Sequence, residues 1–129
     1  MVSPDNLRYS KEHEWVKIEG DTATIGISDF AQKQLTDIVF VELPEVSKQI
    51  EQSKVIATVE SVKSVSDIFT PLSGEIIEIN EKLKDSPELI NNDPYGEGWI
   101  FKLKLTNTGE AEDLMSNTEY DTFTEKEGH

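Results

Sequence analysis

Short β-branched or alternating segments, each closed by a cluster of Gly, Pro, Ser or Asn, recur through most of the chain, and this rhythm limits it to a mainly β fold of short strands. Residues 15–19 and 22–27 alternate polar and apolar side chains about Gly20-Asp21, and a glycine leading a two-residue loop suits a type II′ hairpin turn. Ser28 predicts the N-cap of a short helix reaching about Leu35, because its hydroxyl can accept a bond from an unpaired first-turn amide; Ala31 and Leu35 share the face this helix would bury. Residues 38–43, IVFVEL, are β-branched and aromatic, end at a proline that cannot donate to a ladder, and read as a central strand. Further strands are predicted over 54–60, 65–70, 75–80 and 99–105, the last with Trp99, Phe101, Leu103 and Leu105 on one face and Lys102 and Lys104 on the other. Residues 87–98 read as a structured loop with one helical turn. Within it the acidic stretch 91–96 departs from calcium-loop spacing and is turn chemistry. Ser116 and Glu119 form a capping box for a closing helix on which Tyr120 and Phe123 stand one turn apart.

Composition removes most rival functions. With 129 residues the chain fits one domain, 1–129, carrying a short C-terminal helical extension at about 110–129. It has no cysteine, which excludes disulfides, thiolate nucleophiles and zinc–cysteine or iron–sulfur sites together. A net charge of −14 repels phosphate backbones and anionic membranes, so neither nucleic acid nor membrane is an expected partner. No apolar stretch is long enough to span a bilayer and no leader-like segment opens the chain, giving the expectation of a cytoplasmic, monomeric protein. The sequence also lacks GxSxG, HExxH and Walker patterns, which argues against an independent enzyme.

One lysine stands in a setting that suits chemistry. ESVKSVSD, residues 60–67, is a near palindrome of residue types between two predicted strands, and its centre is where a tight turn can form. Lys63 then projects from a hairpin tip, its amine clear of the sheet and open to another enzyme, as a post-translational attachment point requires. By position alone an ordinary solvated lysine is the commoner case.

That octapeptide resembles the lipoylation site of the glycine cleavage system H protein family, and the resemblance extends over nearly the whole chain. KEHEWV (11–16), GDTATIGISDFAQ (20–32), DIVFVELPE (37–45), PLSGEI (71–76) and DPYGEGW (93–99) are all similar to it. The resemblance implies a barrel-sandwich hybrid with a few small helices, and lipoate covalently attached at Lys63. It implies that Glu60 and Gly74 help the lipoylating enzyme recognise its target, and that Glu14 lines the cleft where the loaded arm rests. An exposed strand carboxylate is the competing reading of Glu14, and for His13 a structural or surface role is preferred. The function implied is a carrier that is not itself a catalyst. It shuttles the aminomethyl group of glycine between a pyridoxal-phosphate glycine decarboxylase, a tetrahydrofolate-dependent aminomethyltransferase and dihydrolipoyl dehydrogenase. The alternatives are a lipoyl relay protein or a lipoyl domain serving a 2-oxoacid dehydrogenase. Biotinyl carriers flank their lysine with methionine, whereas Lys63 has Val62 and Ser64. The chain departs from the family at Thr36, Ser47, Ser53 and Ala57, which stand at common glycine positions; at Thr36, where a left-handed cap would favour glycine, the local turn is expected to differ.

Overall fold

The computed structural model describes residues 3–127. Strands β1 (Arg8–Tyr9), β2 (Glu14–Glu19) and β3 (Thr22–Ile27) open the chain, followed by helix α1 (Asp29–Leu35) and strands β4 (Ile38–Glu42), β5 (Gln49–Ile50), β6 (Val55–Ser61), β7 (Val65–Phe69) and β8 (Gly74–Ile79). Two single-turn helices, α2 (Lys82–Asp85) and α3 (Leu89–Asn92), lead to β9 (Phe101–Leu105), a 3-10 helix (Thr108–Asp113) and α4 (Asn117–Glu127). The strands form two antiparallel sheets, one in the order β1-β2-β3-β9-β8-β5 and the other β4-β6-β7. The main core lies between them, with Val16, Ile25, Phe101 and Leu103 from the larger sheet meeting Val41, Val59 and Ile68 from the smaller. This is a barrel-sandwich hybrid.

Several local expectations hold for the reasons given. Gly20 has φ +64 while Asp21 is not left-handed, as a type II′ turn needs, and Glu19 pairs with Thr22 across it. The Ser28 hydroxyl accepts from the Ala31 amide at 3.2 Å. Ser116 and Glu119 cap each other reciprocally: the Ser116 amide donates to the Glu119 carboxylate at 2.9 Å and the Glu119 amide to the Ser116 hydroxyl at 3.2 Å. The loop 87–98 contains its single helical turn, α3. Tyr120 of α4 is buried, stacks on Tyr9 with ring centroids 4.6 Å apart, and joins Leu7 and Trp15 in a second apolar cluster.

Three expectations need correction. The apolar run of β4 is not a central strand but an edge, bonded only to β6, with Val39 and Phe40 about half exposed. A bulge between Ile38 and Phe40 interrupts its ladder, so the run does not bury both faces. Trp99 lies outside β9 and on the side of Lys102, whose amine is 5.1 Å from the Trp99 ring centroid, because the Asn80 side chain bonds the carbonyls of Glu97 and Trp99 and draws them out of the ladder. On α1, Ala31 and Leu35 pack only partly against the core, and the buried residue is Gln32, whose amide is bonded to Asp29 and Asn91. The short strands β1 and β5 carry too little pattern to be read from sequence.

Three of the departed glycine positions adopt the positive φ that glycine favours. Thr36, Ser47 and Ser53 all keep positive φ, at 66°, 76° and 72°, and Ala57 is an ordinary buried strand residue. Thr36, at φ 66° and ψ −147°, sits in a region close to glycine-only, where a β-branched residue costs ~1–3 kcal/mol. Asn91 holds it there: its side-chain amide donates to the Thr36 carbonyl at 2.8 Å while its oxygen accepts from the Ile38 amide at 2.9 Å. Replacing exposed Thr36 by glycine should therefore raise unfolding free energy by about 1 kcal/mol, the released strain being partly offset by greater freedom of the unfolded chain. Urea titration checks this, and a lower midpoint in Thr36→Gly contradicts it.

Candidate functional site

The turn between β6 and β7 is Ser61-Val62-Lys63-Ser64, and Ser61 braces it from within. The Ser61 hydroxyl accepts from the amides of Lys63 and Ser64 at 3.1 and 3.0 Å and donates to the Ser64 carbonyl at 3.1 Å, while the Ser61 amide bonds the same carbonyl at 2.8 Å. The tip is also tied sideways, the Val62 amide donating to the Asp37 carbonyl at 3.0 Å. The backbone at Lys63 is thereby fixed and motion is left to the side chain. That side chain is exposed, its amine donating to the Gln34 carbonyl of α1 at 3.3 Å, and among the described residues no carboxylate pairs with it.

Beside this amine is a cavity of about 360 Å³ lined by Gln34, Leu35, Phe30, Ser66, His13 and Glu12. Glu12 also lines a neighbouring cavity of about 450 Å³ that contains Glu14, Ser10, Gln52, Phe69 and Asp113. Both volumes fall in the range of small-ligand sites, roughly 300–1,000 Å³. A group attached to Lys63 would thus meet a ready cleft on the α1 side of the hairpin.

Glu14 is not the exposed carboxylate of the competing reading, being 1% exposed. One carboxylate oxygen accepts from the Ser10 hydroxyl and the other from the Phe69 amide at 3.3 Å. Burial pushes its carboxyl up to about 7, with the Ser10 and Phe69 donors pulling the other way and Glu12 adding a smaller upward push. It is therefore divided between neutral and ionised near neutral pH, and a cation entering the cleft would favour the ionised form.

The other residues singled out from sequence take separate places. Glu60 is exposed on β6, paired across strands with Phe40 and Val65. Gly74 is buried at the start of β8, beyond the far end of β7 from the tip; a Cβ there would stand 2.3 Å from the Lys104 carbonyl oxygen, so the close approach of β8 to β9 itself demands glycine. His13 is structural: its ring nitrogens meet the Tyr120 hydroxyl and the Glu127 carboxylate, each at 2.7 Å, tying α4 to the start of β2. Sequence reasoning gave no role to Ser61, Ser10 or Asn91. For Ser61 the available signal was a serine placed to accept from amides two and three residues on, the usual hydroxyl turn brace.

The carboxyl of Glu14 binds its proton more tightly in the folded chain than the unfolded value of 4.5, so its burial costs stability as pH rises through the window from about 4.5 to about 7. Glu14→Gln escapes that cost. The stability gained by the variant over the parent should grow across this window by about 3 kcal/mol and stay level on either side. Urea unfolding at a series of pH values reads it, and a gap independent of pH would show that the carboxylate is hydrated.

Comparison with known proteins gives a consistent likeness along the chain. The family profile described as "Glycine cleavage H-protein" matches residues 7–127. The glycine cleavage system H protein of Halothermothrix orenii is 54% identical over 126 residues, covering 98% of each chain. That of Symbiobacterium thermophilum is 56% identical over 125 residues, covering 97% of each. The crystal structure of a glycine cleavage system H protein from Mycobacterium marinum superposes with a TM-score of 0.85 at 35% identity, over 98% of this chain and 100% of that one.

Proposed function

This chain belongs to the glycine cleavage H-protein family, and from that membership we propose that Lys63 bears a lipoyl group through which the protein serves as the system's carrier. The observation that supports Lys63 most is the braced tip, which holds the backbone still and leaves beside a cleft an amine that, among the described residues, no carboxylate pairs with. The group fits these residues: after amide formation Nζ keeps one N–H, enough to donate to the Gln34 carbonyl as the free amine does. When bound, a lipoyl group supplies a strained cyclic disulfide that accepts a carbon fragment at one sulfur and releases the other as thiolate.

The chain's own residues then bind and orient. Ser61 and Asp37 fix the tip, and Gln34 offers its carbonyl to the base of the arm. Glu14, held by Ser10 and the Phe69 amide, is poised to ionise against the ammonium of a glycine-derived fragment. Glu60 and Gly74 serve lipoylation, Glu60 as an exposed carboxylate near the tip and Gly74 by allowing β8 and β9 to pack beneath the hairpin. The arm's partners are a glycine decarboxylase, a tetrahydrofolate-dependent aminomethyltransferase, dihydrolipoyl dehydrogenase and the lipoylating enzyme. The chain presents the arm to them and is not itself a catalyst. Residues 1–129 act as one carrier domain, whose helical extension from about residue 110 braces the start of β2 through Tyr120 and His13. A tethered arm is effective because its local concentration at each site far exceeds that of free lipoate, provided the tether can reach.

Peptide mass mapping of natively produced protein should place one lipoyl increment, on the peptide containing Lys63, and Lys63→Arg should fold normally yet fail to support glycine decarboxylation in a reconstituted system, because a guanidinium forms no lipoyl amide. A lipoyl group elsewhere, or normal activity in the variant, would overturn the assignment.

A further inference from the structure

Asn91 sits half-buried on a single-turn helix, yet the geometry of a hairpin distant in sequence converges on its side chain. The helix is firmly seated: Ile90 is fully buried in the main core, and α3 lies so close to Gly98 that a Cβ there would stand 2.8 Å from the Ile90 Cα. From this platform the Asn91 side chain makes three bonds. It accepts from the Ile38 amide at 2.9 Å and donates to the Thr36 carbonyl at 2.8 Å and to the Gln32 side-chain oxygen at 3.0 Å. Two of the three bracket Asp37, whose carbonyl receives the Val62 amide of the tip. The third reaches α1, whose Gln34 carbonyl accepts from the Lys63 amine. Among the described residues no other side chain bonds the backbone of residues 36–38.

We propose that Asn91 is a positioning residue for Lys63, holding the turn 36–38 in the one conformation that aims the Asp37 carbonyl at the Val62 amide. This rests on the reading of Lys63 as the lipoyl-bearing residue. The turn does not favour that shape by itself, because Thr36 at φ 66° and ψ −147° has a backbone that a β-branched residue avoids. The Thr36 carbonyl needs a donor and the Ile38 amide an acceptor, and an asparagine amide supplies both from one planar group. The same two partners fix which way that amide faces, since only its oxygen can meet the Ile38 N–H. Loss of the grip lets Thr36 relax, turns the Asp37 carbonyl away from Val62, and leaves the tip in its competent arrangement for only part of the time. A protein competent for a fraction of the time binds its enzyme more weakly by that fraction, while turnover of the bound form is unchanged. Asn91 therefore acts on KM for the chain as a substrate, and kcat is set elsewhere.

The test uses the full unmodified chain. In hydrogen exchange followed by NMR, Asn91→Ala should speed exchange of the Val62 amide by about tenfold or more, while the Leu105 amide, bonded to the Asp21 carbonyl in the larger sheet, stays within about twofold of the parent. With a lipoylating enzyme and lipoyl adenylate, KM for the chain should rise by about threefold or more and kcat stay within about twofold. Asn91→Asp keeps the volume but sets an oxygen against the Thr36 carbonyl, and should show the same pattern if alanine costs the fold. Adding Thr36→Gly to either variant should slow Val62 exchange again and lower KM by about twofold or more, because glycine takes the left-handed turn without being held. Unchanged Val62 exchange, equal acceleration at Val62 and Leu105, a fall in kcat with KM unmoved, or no rescue by glycine overturns the inference. A parent chain that the enzyme does not modify overturns the carrier reading instead, and Val62 exchange still decides whether Asn91 holds the tip.

Discussion

The hydrogen bond from the Val62 amide to the Asp37 carbonyl joins the tip of the β6–β7 hairpin to the turn that follows α1, and the site depends on that junction. Without it the tip would keep only its internal Ser61 bonds and the last β4–β6 pair, Ile38 with Ser61, and would lose its tie to the turn after α1. The turn on the other side of the bond is itself held under strain, Thr36 keeping a left-handed conformation because Asn91 grips both the Thr36 carbonyl and the Ile38 amide. Rigidity is thus passed from α3 through Asn91 to the turn and from the turn to the tip. The lysine is left as the mobile element, which is the division of labour a swinging attachment point needs.

The cavity that holds Glu14, next to the one beside the tip, has an opposite economy. Glu14 is taken out of water with only two neutral donors, Ser10 and the Phe69 amide, facing its carboxylate. That arrangement is unfavourable for the empty protein near neutral pH, and a cation in the cleft would relieve it. Elsewhere the buried groups are satisfied: among the described residues no buried side-chain polar atom lacks a partner. The exception in energy, if not in hydrogen-bond count, therefore falls where the proposed cargo would rest.

Much of this was legible in the sequence, because the relevant signals are local. Gly20-Asp21, Ser28 and the Ser116–Glu119 pair each specify their own turn or cap within a few residues, and Lys63 stands at the centre of a short symmetric turn. What escaped depends on partners far along the chain. IVFVEL has the composition of a central strand, and only the pairing of β4 with β6 alone makes it an edge. Trp99 continues the alternation of β9 on paper, but Asn80, distant in sequence, pulls its carbonyl away. At Thr36 the residue type argues against positive φ, yet the Asn91 bonds to the Thr36 carbonyl and the Ile38 amide hold the backbone there. Glu14 looked the same as any strand carboxylate until β7 and the Ser10 turn closed over it.

The claim on which the account turns is that carbon from glycine travels on Lys63. The most direct measurement is to incubate the lipoylated chain with glycine decarboxylase and glycine labelled at its 2-carbon, then digest under mild conditions and map the label by mass. The account predicts that the label appears on the peptide containing Lys63 and nowhere else in the chain. Label on another peptide, or carbon dioxide released at the normal rate with Lys63→Arg as the only carrier present, would contradict it.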